Sequence, residues 1–126
     1  MANKLPKSFQ CATEFTLAVL GGKWKTVILC YLKQRPMRYS ELRKLLPTLS
    51  DKVLTERLRD LMSSGLVAHR KTGAEASSGT YSLTARARSL GDVLHHLYAW
   101  GHDNAAVYRV EVGEPFKQLG QDRPRS

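Results

Sequence analysis

Residues 40–65 read SELRKLLPTLSDKVLTERLRDLMSSG, and this stretch predicts two helices joined by a tight turn. Ser40 is a good N-cap for a two-turn helix, which Pro47 closes because proline disfavours helix in the residue before it. Ser50 is the predicted N-cap of the second helix, with Asp51 beside it favoured by the helix dipole. Gly65 suits the C′ position that ends this helix. Two short helices with such a turn form a helix-turn-helix.

The second helix of this stretch has an apolar side and a charged side. At about 100° per residue, the predicted buried side carries Leu54, Leu58, Leu61 and Met62. The opposite side carries Lys52, Glu56, Arg59 and Ser63, with Thr55 on its flank. These side chains suit a DNA groove, because Arg and Lys donate to guanine, Glu accepts from cytosine and the Thr methyl contacts thymine. Any surface helix has a charged side, so the surrounding elements must decide whether this one reads DNA.

Residues that flank the second helix are candidates for phosphate contacts, which fix a protein's register on DNA. These candidates are Arg38, Arg43, Lys44 and Ser50. Arg57 lies nearer the buried side, where we expect pairing within the chain rather than snorkelling to phosphate.

The elements around the helix-turn-helix predict a mainly α, α+β fold with a small β-hairpin wing. Helices are expected at 14–20 and 24–32, a short strand or extended link at 37–39, and a hairpin with strands at 66–71 and 80–83 and its tip at 72–79. A final helical region runs from a cap at Thr84 to about residue 108, with Gly91 and Gly101 as points where it can bend or split. A hairpin directly after a helix-turn-helix is the wing of a winged helix-turn-helix. Arg70 and Lys71 on its first strand are candidates for DNA contact, or plain solvated residues.

Length and charge fit one domain that binds a polyanion. The chain has 126 residues and a net charge of +9, and residues 33–59 hold eight basic and three acidic side chains. DNA, RNA or an anionic membrane face would suit that charge. We predict a flexible arm at 1–10, the domain at 11–108 and a loosely ordered tail at 109–126. No signal peptide and no apolar run of roughly 20 residues is found, which predicts a cytoplasmic protein with reduced thiols.

Several motifs, in order, make the chain resemble the HxlR-type regulators, a MarR-like winged-helix family. They are Cys11 before the first helix, Gly21-Gly22-Lys23-Trp24, residues 38–43, residues 50–61, Gly65-Leu66-Val67 and Tyr81-Ser82-Leu83-Thr84. The resemblance implies a homodimer that pairs through its first and last helices and represses, or sometimes activates, nearby genes. It also implies a cysteine before the first helix that responds to oxidants or electrophiles. The sequence departs from the family at 75–80, where a Pro-Pro pair is missing from the wing, and at Ala87, where the family usually has Gly.

The resemblance makes Cys11 the candidate redox sensor. A thiol at a helix N-terminus, with Lys7 nearby, is favoured as the reactive thiolate; the alternative is an inert, partly buried cysteine. Cys30 is expected in the core. The predicted dimer interface, which could instead pack on the chain's own core, consists of Phe15, Leu90, Val93, Leu94, Leu97, Tyr98 and Trp100.

The sequence therefore predicts a transcriptional regulator that binds a pseudo-palindromic operator as a homodimer, most simply as a repressor. Two alternatives stay open. One is a regulator that senses a small aromatic ligand between the dimer helices, near Phe15, Trp24, Tyr98 and Trp100; the other is a non-specific architectural or RNA-binding protein. We expect no cofactor, no metal at His95 and His102, and no enzymatic activity.

Overall fold

The structure, a computed structural model, describes residues 5–71 and 79–113. Its helices are α1 (Ala12–Leu20), α2 (Lys25–Gln34), α3 (Tyr39–Leu45), α4 (Asp51–Ser63), α5 (Ala85–Arg88) and α6 (Gly91–Asn104); its strands are β1 (Val67–Arg70) and β2 (Thr80–Leu83). This order confirms the predicted winged helix-turn-helix. The first four residues of the predicted arm, most of the predicted hairpin tip and the predicted tail beyond residue 113 lie outside the described residues. The predicted domain boundaries stay predictions.

The core lies where α2, α4 and the wing meet. The side chains of Ile28, Leu42, Leu54 and Leu61 are fully buried there. Helix α4 packs on α2 and β1, and α2 packs on β2 and α6. The side of α4 that carries its buried leucines therefore packs inside the domain, and the opposite side of the helix is exposed to solvent.

Both ends of α4 have the predicted caps. The Ser50 Oγ accepts a hydrogen bond from the Val53 amide at 3.1 Å. At the other end, the amides of Leu66 and Gly65 donate to the carbonyls of Leu61 and Met62, which is the Schellman motif. Gly65 has a φ of 79°, the left-handed conformation that this motif requires and that glycine adopts without strain. The chain therefore passes from α4 into β1 through only three residues.

Helix α3 begins one residue earlier than predicted, at Tyr39, so the prediction of Ser40 as its N-cap was wrong. Arg38 occupies the cap position. The Glu41 carboxylate accepts from the Arg38 amide at 2.9 Å and pairs with Arg35 at 2.9 Å. The hydrogen bond from the Arg38 amide, helped by Arg35, lowers the pKa of Glu41 although partial burial opposes it. The start of α3 is therefore capped by the Glu41 carboxylate, which reaches back three residues, and not by the Ser40 side chain that the sequence predicted.

The wing is a two-stranded antiparallel ribbon with one further contact to the helix-turn-helix. Val67 pairs with Leu83 and Arg70 with Thr80. The predicted strand at 37–39 is reduced to a single bridge, in which Met37 and Tyr81 exchange both backbone hydrogen bonds, at 3.0 and 2.7 Å. At the base of the wing, the Thr84 hydroxyl donates to the Gly65 carbonyl at 2.6 Å.

The last helical region is split rather than continuous. Thr84 caps α5 as predicted, its Oγ1 accepting from the Ala87 amide at 3.1 Å. The chain then turns at Ser89 and Leu90, and α6 starts at Gly91. Gly101 stays within α6, which ends at Asn104 and not near 108; turns follow to Arg109. The break at Gly91 frees α6 to pack on α2 independently of the wing.

In the part of the chain that the structure describes, no single helix is long and apolar enough to cross a membrane; α1 and α2 together reach that length, but the pair is bent by 80°.

Candidate nucleic-acid interface

We define the recognition face as Lys52, Thr55, Glu56 and Arg59 of α4. Lys52, Thr55 and Arg59 are exposed, and Glu56 is partly exposed. Leu54, Leu58 and Leu61 on the other side are buried, so the helix has the two sides that its sequence predicted. Met62 is an exception: it was expected in the core but is 37% exposed, because at about 100° per residue it lies at the edge of the buried side that Leu54, Leu58 and Leu61 define.

Arg43 clamps the turn between α3 and α4. Its guanidinium donates to the carbonyls of Leu46 and Leu49 and pairs through Nε with Asp51 at 2.8 Å. The predicted phosphate contact of Arg43 stays a prediction, but its donors already bind three acceptors inside the chain. The sequence analysis predicted Arg43 as a phosphate contact and did not foresee its bonds to the turn between α3 and α4.

Tyr39 ties the start of α3 to the start of α4, a role that the sequence analysis missed. Its hydroxyl donates to the Asp51 carboxylate at 2.8 Å and lies 3.5 Å from the Thr55 hydroxyl. Partial burial raises the pKa of Tyr39, and the bond to Asp51 adds to the rise. Asp51 therefore receives both Tyr39 and Arg43, which fixes the N-terminal turn of the recognition helix against α3. The sequence spacing of Tyr39, Arg43 and Asp51 does not predict that the three side chains meet.

Three further predicted phosphate ligands are exposed. Arg38 occupies the cap position of α3 and Lys44 lies in its last turn. Ser50 caps α4, and since its Oγ accepts the Val53 amide, its hydroxyl proton remains available to a phosphate oxygen. Lys52 lies in the first turn of α4, where the helix dipole also favours an anion. The phosphate contacts of these residues stay predictions.

Arg57 pairs within the chain, as predicted. Its Nε donates to the Lys23 carbonyl at 3.1 Å, and its contact to Glu56 is longer, at 4.0 Å. This bond joins α4 to the loop between α1 and α2.

The wing strand β1 presents two exposed basic residues, Arg70 and the following Lys71. Between the strands, His69 stacks on Tyr81 with ring centroids 4.3 Å apart. Gly79 has a φ of 110°, and a side chain there would overlap the Arg70 carbonyl. Whether Arg70 and Lys71 contact DNA stays a prediction, as does the role of the wing tip.

The residues predicted for a dimer interface divide into two groups. Leu94 is buried and Leu90 half-buried against the domain's own core, which is the other use that the sequence allowed. Phe15, Val93, Leu97, Tyr98 and Trp100 are exposed, Phe15 by 46% and Trp100 by 60%. Further exposed apolar residues, which the sequence analysis did not single out, are Leu17, Val107, Tyr108, Val110 and Val112. So many large apolar side chains in α1, α6 and the turns after it are typical of an interaction surface.

The two cysteines lie in different environments. Cys11 is exposed and occupies the cap position of α1, where its carbonyl accepts from the Phe15 amide at 3.2 Å. Cys30 lies partly buried in α2, and burial raises the pKa of its thiol although Lys33 opposes the rise. Cys11 is therefore the more accessible of the two thiols.

Among residues 5–71 and 79–113, no three His, Cys, Asp or Glu side chains come together as a metal site.

Comparison with known proteins agrees with this architecture. Residues 19–108 match the family model described as HxlR-like helix-turn-helix. The chain is 40% identical over 113 residues to the uncharacterized HTH-type transcriptional regulator YtcD of Bacillus subtilis (strain 168), covering 90% of this chain and 87% of YtcD.

Solved structures of similar fold include two redox-linked proteins. The redox regulator HypR in its reduced form superposes with a TM-score of 0.74 at 32% identity, over 78% of this chain and 97% of HypR; its oxidized form gives 0.68 at 33%, over 75% and 97%. The reduced form of the transcriptional regulator YodB from B. subtilis gives 0.66 at 27%, over 84% and 100%. With its helix-turn-helix and exposed recognition face, this chain belongs to the HxlR-like helix-turn-helix family and is a DNA-binding transcriptional regulator.

Proposed function

We propose that this regulator binds a pseudo-palindromic operator as a homodimer, represses transcription there, and releases DNA when Cys11 reacts with an oxidant or electrophile. The observation that carries the proposal is the position of Cys11. It is exposed at the first turn of α1, the helix whose Phe15 and Leu17 are exposed. A group attached to its sulfur would therefore sit at the edge of the proposed dimer interface.

The homodimer is supported by the exposed apolar residues of α1 and α6. A domain of this size exposes single apolar residues commonly, but rarely a cluster of large ones. Pairing these helices with a second copy would remove them from water and would present two recognition faces, as a two-fold operator requires.

The thiol chemistry needs no further cofactor. When the Cys11 thiolate adds to the carbon–carbon double bond of an electrophile, a carbon–sulfur bond forms, the π bond breaks, and the proton lost by the thiol ends on the neighbouring carbon. Diamide instead oxidises the Cys11 thiols of the two protomers to a disulfide and is itself reduced to the hydrazine. The similarity to HypR, which is named a redox regulator, supports this signal. Because modification would release DNA, the unmodified protein is the form that occupies the operator.

The dimer is tested by sedimentation of Trp100→Glu. Trp100 lies in α6 and is highly exposed, so the charge should shift the protein towards monomer without unfolding it. Met62→Glu places the same charge at an exposed apolar residue of α4, away from this surface, and should stay dimeric. A monomeric wild type, or a dimer indifferent to Trp100→Glu, would contradict the proposed interface.

The regulator is tested by selecting genomic fragments with the purified protein, with and without diamide. We expect one pseudo-palindromic site to be enriched and then lost on oxidation, in wild type and in Cys30→Ser but not in Cys11→Ser. Enrichment that diamide does not change would refute the thiol switch alone. Equal binding of unrelated sequences with only a steep salt dependence would favour a non-specific architectural binder instead.

A further inference from the structure

A half-open cavity of about 570 Å³ lies on one protomer, between α2, the turn after α3, α6 and residues 112–113. Its walls include Trp24 and Cys30, Leu46 and Pro47 of the turn, and Leu97 and Tyr98 of α6. Trp24 and Tyr98 were predicted beside a ligand site between two subunits; Phe15 and Trp100, predicted with them, do not line this cavity. A volume in this range is typical of sites for small organic molecules.

The lining defines the chemistry of a ligand. It contains no charged side chain among the described residues, and its polar side chains are Thr26, Thr48, two tyrosines, Cys30 and, through its indole N–H, Trp24. An ionised carboxylate or phosphate would lose hydration there without gaining a partner of opposite charge. Flat aromatic walls instead favour a neutral, planar, largely apolar molecule, with one or two polar atoms for the hydroxyls.

Trp24 holds an unusual backbone conformation at this wall. Its φ is 84°, in the left-handed region, which bulky residues rarely adopt and which persists only where the surroundings impose it. Three contacts impose it here. The Trp24 carbonyl accepts from the Ile28 amide at 2.9 Å, the Lys23 Nζ lies 5.2 Å from the Trp24 ring, and the Lys23 carbonyl accepts from Arg57.

Two walls of the cavity are therefore bonded to the groups that position α4. The strained turn at Lys23 and Trp24 is held by Arg57, which is part of α4 itself. Another wall is the helix-turn-helix turn, whose Leu46 carbonyl accepts a hydrogen bond from Arg43. A molecule that stacks on Trp24 and pushes on Leu46 would move both supports of the recognition helix.

We propose that this cavity is an effector site, in which a neutral planar aromatic molecule binds and weakens DNA binding. The effect on DNA rests on the proposed function, whereas occupancy of the cavity does not. This signal is separate from Cys11, which does not line the cavity.

The binding test uses 4-nitroanisole, a neutral planar quencher of tryptophan fluorescence, and 4-nitrobenzoate, an anion of similar outline. The chain has two tryptophans, so Trp100→Phe leaves Trp24 as the reporter and Trp24→Phe leaves the exposed Trp100. We expect saturable quenching by 4-nitroanisole in Trp100→Phe, and only linear, collisional quenching in Trp24→Phe. The anion should bind at least tenfold more weakly. Linear quenching in both variants would overturn the proposal.

Gly101 provides a variant that fills the cavity without disturbing the fold. It lines the cavity from α6, and a Cβ built on it meets no atom within 4 Å. Leucine also favours helix over glycine, so Gly101→Leu should stay folded. In the Trp100→Phe background it should weaken 4-nitroanisole binding at least tenfold, and Ala106→Leu, on the exposed turn after α6, should not. Unchanged binding in Gly101→Leu would place the molecule elsewhere and refute the site.

Coupling to DNA is then measured on the selected operator. Saturating 4-nitroanisole should lower operator affinity at least threefold in wild type and in Cys11→Ser, and should have no effect in Gly101→Leu. Saturable binding without a change in operator affinity would refute the effector role. If no operator is selected, the proposed function fails, while the fluorescence result still decides whether the cavity binds the molecule.

Discussion

Replacing Arg43 by Gln distinguishes a clamp of the helix-turn-helix turn from a phosphate contact. Arg43 donates to two carbonyls of the turn and pairs with Asp51. The neighbouring Lys44 is exposed on the same helix and makes a matched control, since Lys44→Gln removes one positive charge in the same way.

The expected magnitudes differ for the two variants. A hydrogen bond to a charged group contributes about 1.5–3 kcal/mol, but the Arg43 side chain is 31% exposed and Asp51 is 74% exposed, so the ion pair adds little. We expect Arg43→Gln to lower the free energy of unfolding by about 1–3 kcal/mol and Lys44→Gln to change it by less than about 0.5 kcal/mol.

Salt dependence gives the second measurement. Each phosphate contact contributes about 0.9 to the slope of log affinity against log salt concentration. Losing one contact in each protomer of a dimer therefore reduces the slope by about 1.8. We expect this reduction for Lys44→Gln, and an unchanged slope with weaker binding for Arg43→Gln.

Urea unfolding and operator titration between low and physiological salt measure both quantities. An Arg43→Gln protein of wild-type stability whose slope falls by that amount would refute the clamp. It would support the phosphate contact that the sequence predicted.

Two further predictions concern the supports of the interface. Gly65→Ala should cost about 1–2 kcal/mol for its left-handed conformation, since the nearest atom to an added Cβ is the Arg86 Nη1 at an ordinary 3.6 Å. Gly79→Ala should cost more, because its Cβ would overlap the Arg70 carbonyl; equal costs in urea unfolding would contradict this difference. The pKa of Glu41 is lowered from its ordinary value of 4.5. The Glu41 carboxylate therefore stabilises the fold fully above pH 4.5, and this stabilisation is lost as pH falls through the lowered pKa. The stability difference between wild type and Glu41→Gln should therefore shrink below pH 4.5, and a difference that grows towards acid would contradict the cap.

The elements of the fold that depend on local sequence were predictable. Ser50 and Gly65 mark the ends of α4 because capping involves only residues within one turn, and the buried leucines follow the helical period. The cap of α3 was not predictable in this way: Ser40 is a favoured N-cap residue, but only the structure shows the helix starting before it, with Glu41 reaching back to the Arg38 amide.

The site was predictable in composition but not in its internal bonds. The outward face of α4 follows from its period, whereas the convergence of Tyr39 and Arg43 on Asp51 depends on the angle between two helices. Leu94 illustrates the same limit, since an apolar stripe does not show which of its residues the domain's own core will cover. The strained backbone at Trp24 leaves no trace in the sequence, because non-glycine residues rarely adopt it.

The bridge between Met37 and Tyr81 bears on how this scaffold can be redesigned. It joins the link before α3 to a strand that lies 44 positions later along the chain. A chimera that transplants the helix-turn-helix alone would leave the amide and carbonyl of Met37 facing a foreign strand, with no guarantee of matching register. Altered operator preference is therefore best sought by exchanging side chains in place, or by grafting residues 37–83 as one cassette that brings its own hairpin.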